Sequence, residues 1–370
     1  MANTLNLGNG DWATKENSLL GYNSESGNYK PLPFDFTRAS NATFVNKSGL
    51  IETAANGVPR IDFLGNTKGA LLLEPQRSNY WTNSEGSAIT LNSPLGEFGF
   101  YTLNNTNISR TITYVGTITF TFIIKKIDGT IPTITTSGGS GDLVVLVSGS
   151  SSAGVSGVLT DIGNGFYKFE LTREANGASV ARIQNNSGLD TYVSLIQYEE
   201  GSYATSYIPT QGSAVTRVAD ACNNGGNEQV INSTEGVLYA EVANFANDSR
   251  ICLNNGSTSN QISIRYDESL NKIECVLYNG SNQAIISHIL SEVGLFNKLA
   301  FKYKLNDFAL WINSVEVGTD TSGTTFTEGT LSELDFDAGN GVLPFYGKVK
   351  DVRVYNTALT DQELAALTTI

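Results

Sequence analysis

Short runs of strand-forming residues, separated by tight turns, recur along almost the whole chain. Residues 108–124 alternate apolar and polar side chains, as a strand with one buried face does. Leu143–Val147 is a continuous apolar run, which is typical of a strand buried on both faces. Pairs such as Asn279-Gly280 supply the positive φ angles that hairpin turns require. With 37 glycines and few helix signals, the pattern predicts an all-β fold made of β-sandwiches of the jelly-roll type.

Composition divides the chain into an arm, a first sandwich, a linker and a second sandwich. Residues 1–80 are polar with scattered aromatics and predict an extended N-terminal arm for attachment or oligomerisation. Residues 81–221 predict a first β-sandwich, similar to a carbohydrate-binding module. The polar, glycine-rich residues 222–233 predict a linker. Residues 234–370 predict a second, self-sufficient sandwich, so we expect two β-sandwich domains in tandem after the arm.

The one convincing helix signal lies at the C-terminus. Thr360 and Glu363 have the spacing of a capping box, and Leu359 and Leu364 have that of a hydrophobic staple. These residues predict a helix of about two turns that covers the second sandwich.

The charge balance and the cysteines exclude several classes of function. Lys and Arg number 23 and Asp and Glu 36, which gives a net charge of −13. A surface of this sign repels phosphate backbones and anionic lipids, so we expect neither nucleic-acid binding nor membrane insertion. The three cysteines, Cys222, Cys252 and Cys275, form no CxxC motif and predict free thiols. His288 is the only histidine, and no motif around it indicates a triad or a metal site.

Two C-terminal stretches resemble the laminin-G-like, concanavalin A-like family. In residues 299–318, Trp311-Ile-Asn-Ser314 stands where the family has Trp or Tyr, any residue, Asn and Gly. Residues 345–367 carry the closing pattern of Phe, Gly, alternating apolar residues and Tyr-Asn before Leu-Thr. Ser314 in place of glycine is a small departure. The resemblance covers roughly residues 234–370 and implies a lectin-like sandwich.

The strand Glu333-Leu-Asp335-Phe-Asp337 is the candidate for catalysis that this resemblance raises. Lectin-like sandwiches include glucanases whose catalytic strand has acids at these alternate positions. On a strand the three acids share a face, with neighbours about 6.6 Å apart, a spacing that suits the two carboxylates of a glycosidase. The family has Glu where this chain has Asp337, and Leu334 and Phe336 would make this an ordinary strand with a wet acidic face. We therefore expect no catalytic site and no enzyme activity.

The same acids offer ligands for a hard cation. Asp335 and Asp337, together with Asn340 or Asp320, are candidates for Ca²⁺ at the rim of the sandwich. No EF-hand spacing is present. We expect no cofactor, with Ca²⁺ as the one exception to test.

Aromatic residues of the second sandwich are candidates for carbohydrate binding. Trp311, Tyr278 and Tyr266 would stack on the apolar faces of sugar rings if they are exposed. At alternating positions of a strand, however, aromatic side chains commonly belong to the core. Both interpretations stay open at the level of sequence.

Four arginines stand close to acids in the sequence of the arm and at the end of the first sandwich. They are Arg38, Arg60, Arg77 and Arg217, near Asp35, Asp62, Glu74 and Asp220. A guanidinium holds a carboxylate in rigid bidentate geometry, so these residues are candidates for ion pairs that join the N-terminal segment to the first sandwich. The alternative is a set of exposed pairs that contribute little.

Further segments resemble bacteriophage virion proteins. Residues 36–43, 49–52, 59–63 and 69–79 are similar to a segment of phage fibres and head spikes, and residues 197–220 are similar to its companion. The resemblance implies a virion protein that is assembled in the cytoplasm of a bacterial host. It does not distinguish the head from the tail.

Together these features predict a phage structural adhesin, a component of a head fibre or a tail fibre. The arm would bind other virion proteins, and the sandwiches would bind a host cell-surface glycan. One alternative is a polysaccharide depolymerase, which would release reducing ends from a glycan. The other is a purely structural capsid decoration protein without a ligand.

Large aromatics in the arm bear on oligomeric state. Trp12, Phe34, Phe36, Phe44 and Phe63 need a cover, because exposed apolar patches promote aggregation. Closed symmetry would bury identical patches together, and the similarity to phage fibres favours a homotrimer. The alternative is an arm that packs on its own sandwich.

Overall fold

The computed structural model describes residues 5–8, 12–15, 18–23, 28–31, 34–136, 141–147, 157–246, 248–267 and 271–370. The chain divides into two compact units. Unit 1 comprises Met1–Ala39, Ala54–Pro75 and Ala219–Ile370, and unit 2 comprises Ser40–Thr53 and Gln76–Val218. Strands and turns make up nearly all of the described residues, so the prediction of an all-β fold is confirmed.

The regular elements are short strands, two strands of 20 residues and one helix within the described ranges. In chain order they are β1 (Leu5–Gly8), β2 (Ala13–Lys15), β3 (Ser18–Asn23), β4 (Asn28–Pro31), β5 (Asp35–Thr37), β6 (Ala42–Val45), β7 (Ile51–Ala54), β8 (Ile61–Asp62), β9 (Ala70–Leu73), β10 (Arg77–Asn79), β11 (Ile89–Ser93), β12 (Gly96–Leu103), β13 (Asn107–Lys126), β14 (Ile134–Thr135), β15 (Leu143–Val147), β16 (Val158–Gly163), β17 (Phe166–Asn185), β18 (Thr191–Glu200), β19 (Val215–Arg217), β20 (Ala221–Asn223), β21 (Glu235–Asn244), β22 (Ser249–Asn254), β23 (Asn260–Tyr266), β24 (Lys272–Asn279), β25 (Asn282–Ile289), β26 (Asn297–Lys304), β27 (Phe308–Ile312), β28 (Val315–Asp320), β29 (Glu333–Asp335), β30 (Gly347–Tyr355) and α1 (Asp361–Leu367).

Unit 1 contains a two-layer sandwich. One layer is an eight-stranded sheet in the order β28-β27-β26-β21-β30-β9-β8, with β1 paired to β30. The other is a five-stranded sheet in the order β25-β24-β23-β22-β29. Alternate apolar residues of both sheets meet in one core, as in Leu238 and Ala240 of β21 and Ile262 and Ile264 of β23.

Segments from the first 80 residues complete this sandwich, which differs from the predicted separate arm. Strands β1, β8 and β9 extend the eight-stranded sheet, and β5 pairs with β20. Trp12, Phe34, Leu71 and Leu73 lie in the core of unit 1. The physical reason is visible in residues 70–73, a continuous apolar run in which every residue is buried. Trp12 and Phe34 are therefore covered within the chain, and they give no reason for a partner subunit.

The predicted linker also takes part in unit 1. Cys222 and Ile231 belong to the same core as the sandwich. Gly225 forms a bridge with Leu334, and a side chain at Gly225 would meet the ring of Phe34. Residues 222–233 are thus packed structure in unit 1.

Unit 2 is built around one eight-stranded sheet in the order β11-β12-β18-β13-β17-β15-β14, with β16 paired to β17. The long strands β13 and β17 form its centre, and their 18 paired positions run from Asn107 to Ile124. Both faces of the sheet are covered. Phe122 and Ile124 join one apolar cluster and Ile123 joins another, as expected for successive residues of a strand.

A buried cluster of four charges holds together the separate segments of unit 1. Asp220 accepts a hydrogen bond from Arg38 Nη1 at 3.1 Å, one from Arg60 Nη2 at 2.5 Å and one from the amide of Glu74 at 2.8 Å. Arg60 Nη1 also donates to Glu74 at 2.7 Å. The four side chains are almost completely buried. These pairs join residues 38, 60 and 74 to the start of the C-terminal segment.

The other two predicted structural arginines lie in unit 2. Arg217 is buried and donates to Thr205 Oγ1 at 3.2 Å and Ser206 Oγ at 3.0 Å. Arg77 is half-buried, and its guanidinium lies 5.3 Å from the centre of the Tyr203 ring.

Helix α1 has the predicted cap. Thr360 accepts from the amide of Glu363, and the Glu363 carboxylate accepts from the amide of Thr360 at 2.9 Å. Leu359 and Leu364 pack with Trp311 and Tyr239 on the outer face of the eight-stranded sheet. The helix has seven residues, and within the described ranges no helix has the length and hydropathy needed to cross a membrane.

Candidate ligand-binding face

The five-stranded sheet of unit 1 turns one face to the core and a polar face outward. On β22, Ile251 and Leu253 belong to the core. By alternation, Arg250, Cys252 and Asn254 lie on the opposite face. This polar face is the part of the sandwich on which a ligand could form hydrogen bonds.

The next two strands continue the same face. On β23, Ile262 and Ile264 point to the core, so Gln261, Ser263 and Arg265 lie on the opposite face, where Gln261 and Ser263 are fully buried and Arg265 is half-buried. On β24, Tyr278 lies outward and pairs across the ladder with Gln261. We call Arg250, Gln261, Ser263, Arg265 and Tyr278 the arginine face.

Arg250 and Arg265 are direct cross-strand partners, which places two positive charges opposite one another. Such a pair is normally destabilising. Neither forms a salt bridge with an acid of the described residues. The acid opposite Arg265 is Glu274, but its carboxylate lies 2.6 Å from Lys272 Nζ. Arg265 therefore has Glu274 as a nearby carboxylate that it shares with Lys272, and neither guanidinium forms a direct ion pair with an acid of the described residues.

Neutral oxygens hold the two guanidiniums in place. Arg250 Nη1 donates to Gln261 Oε1 at 3.3 Å, and Arg265 Nη2 donates to the same oxygen at 3.5 Å. Arg265 Nε donates to Ser263 Oγ at 2.7 Å. Burial lowers the pKa of Arg265 to about 10, and the charge of Arg250 acts in the same direction. The charge of Glu274 acts in the opposite direction, and a bound anion would add to it.

The loop 337–343 covers the adjoining part of the polar face. Gln261 Nε2 donates to the carbonyl of Ala338, and the Cys252 thiol donates to the carbonyl of Asp337 at 2.6 Å. Gly339 has φ +87°, and a side chain there would lie 2.7 Å from Asn254, so glycine is required both for the turn and for the close approach. This loop fixes Gln261, which in turn positions both arginines.

The chemistry of the face suits an oxygen-rich ligand that carries negative charge. Each guanidinium has five N–H donors in a planar fork that matches carboxylate and vicinal oxygens. Tyr278 is half-buried on the same face and offers a ring edge or face to a sugar. Two donors and one aromatic ring on a rigid sheet are the elements of a binding site.

The acidic strand lies beside the arginine face, but most of its acids are not exposed to solvent. Asp335 and Asp337 are each 3% exposed, whereas Glu333 is half-buried. Asp335 accepts from the amide of Asn224 at 2.6 Å and from Asn254 Nδ2 at 2.7 Å. Burial raises the pKa of Asp335, and burial together with the charges of Asp335 and Asp337 raises that of Glu333. Leu334 and Phe336 face the core as predicted. Asp335 is thus engaged by Asn224 and Asn254, and Asp337 by the amide of Gly339.

The candidate calcium ligands do not converge. Asp335 is engaged by two protein donors, and Asp337 accepts from the amide of Gly339 at 2.5 Å. Asn340 is exposed. Among the described residues, no group of three or more His, Cys, Asp or Glu side chains is arranged to hold a metal ion. Calcium binding stays a prediction without a group of ligands to support it.

The three aromatic candidates for sugar binding lie in different environments. Tyr266 is buried in the core, with its ring 6.0 Å from that of Phe345. Trp311 is 8% exposed and lies beneath Leu364 of α1. Tyr278 is half-buried on the arginine face. Only Tyr278 is thus placed where a sugar could reach it.

The arginine pair is the feature that sequence reasoning missed. The signal was present as alternation, because Arg250 and Cys252 flank core residues, as do Ser263 and Arg265. The register that places Arg250 opposite Arg265 depends on the hairpin between β22 and β23, which the turn sequence alone did not indicate.

The comparisons with known proteins agree with this fold. Residues 238–365 match the family model described as the concanavalin A-like lectin/glucanases superfamily, of the laminin G type. The prediction of a concanavalin A-like domain in the C-terminal region is confirmed there. No curated protein matches the chain.

Two solved structures are similar to parts of this chain at low identity. A sialidase module from Ruminococcus gnavus, CBM40 bound to α2,3-sialyllactose, is 17% identical over 40% of this chain and 93% of that chain, with a TM-score of 0.34. Domain 4 of the arabinanase AbnA from Geobacillus stearothermophilus, in complex with arabinotriose, is 16% identical over 46% of this chain and 84% of that chain, with a TM-score of 0.29.

Proposed function

We propose that the protein is a non-catalytic adhesin that binds a host cell-surface glycan through the arginine face of unit 1. The observation that carries this proposal is the cross-strand pair of Arg250 and Arg265, which Gln261 holds and which forms no salt bridge with a carboxylate of the described residues. A concanavalin A-like domain at residues 238–365 supports a role in carbohydrate recognition. The two charges favour a glycan that bears a carboxylate or another anionic group.

Binding is favoured over catalysis by the state of the acidic strand. A glycosidase needs two carboxyl groups that both reach the substrate. Asp335 and Asp337 are buried, and Asp335 is held by two protein donors. Glu333 alone is half-exposed. A polysaccharide depolymerase therefore remains the second candidate, supported only by the raised pKa of Glu333.

The binding site is tested with a glycan array followed by calorimetry on the best ligand. We expect Arg265→Ala to weaken binding by roughly tenfold or more, since a charge-assisted hydrogen bond contributes about 1.5–3 kcal/mol, and Tyr278→Ala to weaken it by less. Lys304→Ala is the matched control, because it removes an exposed positive charge from the other sheet. Equal binding by Arg265→Ala and Lys304→Ala would contradict the assignment.

The catalytic alternative has its own test. If release of reducing ends from a glycan is found, we expect Glu333→Gln to retain it. Loss of that activity in a folded Glu333→Gln variant, with glycan binding intact, would replace the adhesin proposal with a depolymerase.

The virion part of the proposal rests on the resemblance to phage fibres and head spikes. We propose attachment to other virion proteins through the N-terminal residues and assembly as a homotrimer. Labelling of purified particles for electron microscopy would place the protein on the head or the tail, and its absence from particles would contradict a virion role.

Light scattering tests the homotrimer. The prediction would be contradicted if the purified protein at micromolar concentration and the protein released from particles with detergent were both monomers. If glycan arrays show no ligand but labelling places the protein on particles, the chain is better described as a purely structural capsid decoration protein.

A further inference from the structure

A second charged site lies on the opposite sheet of unit 1, away from the arginine face. Lys298 of β26, Lys350 of β30 and Glu241 of β21 stand side by side on the outer face of the eight-stranded sheet. The turn between β8 and β9 adds Asn66, Thr67 and Lys68. These six residues line a pocket of about 170 Å³, which we call the lysine pocket.

The positive charges of the lysine pocket outnumber the negative ones. Glu241 is the one carboxylate among its six lining residues, and two ammonium groups share it. Lys298 Nζ lies 3.9 Å from Glu241 Oε2, and Lys350 Nζ lies 3.7 Å from Oε1, both at the long end of ion-pair distances. Three lysines and one glutamate leave a formal charge of +2 in a chain whose net charge is −13.

The two sheet lysines are held in the pocket by other groups. Lys298 Nζ donates to the carbonyl of Thr369 at 2.7 Å, and Lys350 Nζ lies 3.7 Å from the centre of the Phe296 ring. Their side chains are 25% and 21% exposed. An ammonium has three N–H donors, so each retains donors for a ligand after these contacts. Partial burial, with the nearby charges of Lys298 and Lys68, lowers the pKa of Lys350, and Glu241 opposes this.

The volume of the lysine pocket and its neutral lining residues limit the class of ligand that it can bind. The pocket has room for several water molecules, and hence for a small polyatomic anion with part of the group that carries it. Asn66 and Thr67 add neutral hydrogen-bonding groups at its edge. A compact charge with oxygens in several directions matches separate ammonium groups, whereas a planar carboxylate is better matched by an arginine fork.

We propose that the lysine pocket binds a tetrahedral oxyanion of the phosphate or sulfate class, with Lys298 and Lys350 as the main donors. Asn66 and Thr67 would then contact the anion or the alcohol that is esterified to it. The anion would come either from solution or from a phosphorylated or sulfated glycan. The site shares no residue with the arginine face, so either assignment can fail without the other.

The test is titration of the full chain with inorganic phosphate, inorganic sulfate and glucose 6-phosphate at constant ionic strength, followed by NMR of ¹³C-labelled lysine methylenes. We expect saturable shifts of the Lys298 and Lys350 signals. Lys298→Met and Lys350→Met keep the aliphatic stem and should each weaken binding by roughly tenfold or more. Lys304→Met is the control on the same strand as Lys298, and it should leave binding unchanged.

A variant with the opposite effect guards against loss of folding. Glu241→Gln removes the carboxylate that competes for the two ammonium groups, so we expect it to bind phosphate several-fold more tightly. Tighter binding of the sugar ester than of the free anions would assign the site to a modified glycan, and equal binding would assign it to the free anion. Absence of saturable shifts at millimolar phosphate, or equal weakening by Lys304→Met, would overturn the proposal.

Discussion

Unit 1 draws its core from three separated stretches of the chain, whereas unit 2 is nearly continuous in sequence. In unit 1, a buried cluster of four charges joins these stretches, and Asp220 receives two guanidinium groups. In unit 2, the buried acid Glu199 is held by neutral donors, namely Gln197 and Thr205. The difference indicates that ion pairs hold distant segments together in unit 1, whereas hydrogen bonds between neighbouring segments hold the buried acid in unit 2.

The largest effect should come from cutting the chain at the predicted domain boundary. A fragment of residues 234–370 lacks Trp12, Phe34, Leu71 and Leu73 of the core. Each buried side chain of this size contributes about 1.5–3 kcal/mol, so the loss approaches the whole stability of a typical domain. We expect this fragment to bind hydrophobic dyes and to melt without cooperativity by circular dichroism.

The corresponding fragment of unit 2, residues 76–218, is the control for this cut. It keeps the complete eight-stranded sheet, so we expect a cooperative transition. Cooperative melting of the 234–370 fragment would show that the N-terminal segments are dispensable and would remove the contrast between the units.

A smaller but local effect should follow from Asp220→Ala. The substitution leaves the buried guanidinium of Arg38 without its carboxylate and deprives Arg60 of one of two. Breaking a buried pair in this way costs about 3–5 kcal/mol. Hydrogen exchange should speed up in β9 and β30 but not in β13 and β17.

Glu328→Ala serves as the control for Asp220→Ala, because Glu328 is an exposed acid of unit 1. A change within about 0.5 kcal/mol is expected for such a surface position. Similar effects of the two substitutions would mean that the buried cluster does not stabilise unit 1.

In unit 2, Glu199→Gln should cost less than Asp220→Ala. The amide keeps the shape of the side chain, and the acid that is removed forms no salt bridge in the described residues, although Thr205 loses an acceptor and Arg217 loses a nearby negative charge. We expect a loss of about 1–2 kcal/mol in chemical denaturation. A loss as large as that of Asp220→Ala would show that both units depend equally on buried charge.

The smallest expected effect is a change in the pH dependence of unit 2. Burial raises the pKa of Glu199, so the folded state binds its proton more readily than the unfolded state does. The stabilisation from this group is complete below the unfolded pKa of about 4.3, and it is lost as pH rises through the folded pKa. The hydrogen-exchange protection factors of β18, which correct for the intrinsic rise of the exchange rate with pH, should therefore fall over this range in the native chain, and Glu199→Gln should flatten the trend. An unchanged slope would contradict the assignment.

The features that were predictable from sequence are local ones. The capping box at Thr360 and Glu363, the inward positions of Leu334 and Phe336, and the all-β pattern each depend on residues a few positions apart. The concanavalin A-like pattern of the closing strand was specific enough to locate that domain.

The features that were not predictable depend on pairing between distant segments. Residues 70–73 carried the signal of a buried strand, but nothing in them names β30 as their neighbour. The candidate site was recovered in part, since Tyr278 lies on the polar face while Trp311 and Tyr266 are covered. The expectation that Asp335 and Asp337 would be exposed was wrong, because Asp335 is held by Asn224 and Asn254, which are distant from it in sequence.

The short ladder between β10 and β19 has a consequence for the order of folding. It pairs Arg77 with Arg217 and so brings the two ends of the Gln76–Val218 segment together. Glu74 and Asp220 are 146 residues apart in sequence. Once the ladder has formed, the effective loop between them is only a few residues long. Replacing so long a loop by a short one lowers the entropy cost of closure by about 3 kcal/mol, at about 0.6 kcal/mol for each halving. During synthesis, unit 2 can fold before residues 219–370 are complete, and the paired ends of its Gln76–Val218 segment then shorten the search by which residues 1–75 and 219–370 pack together.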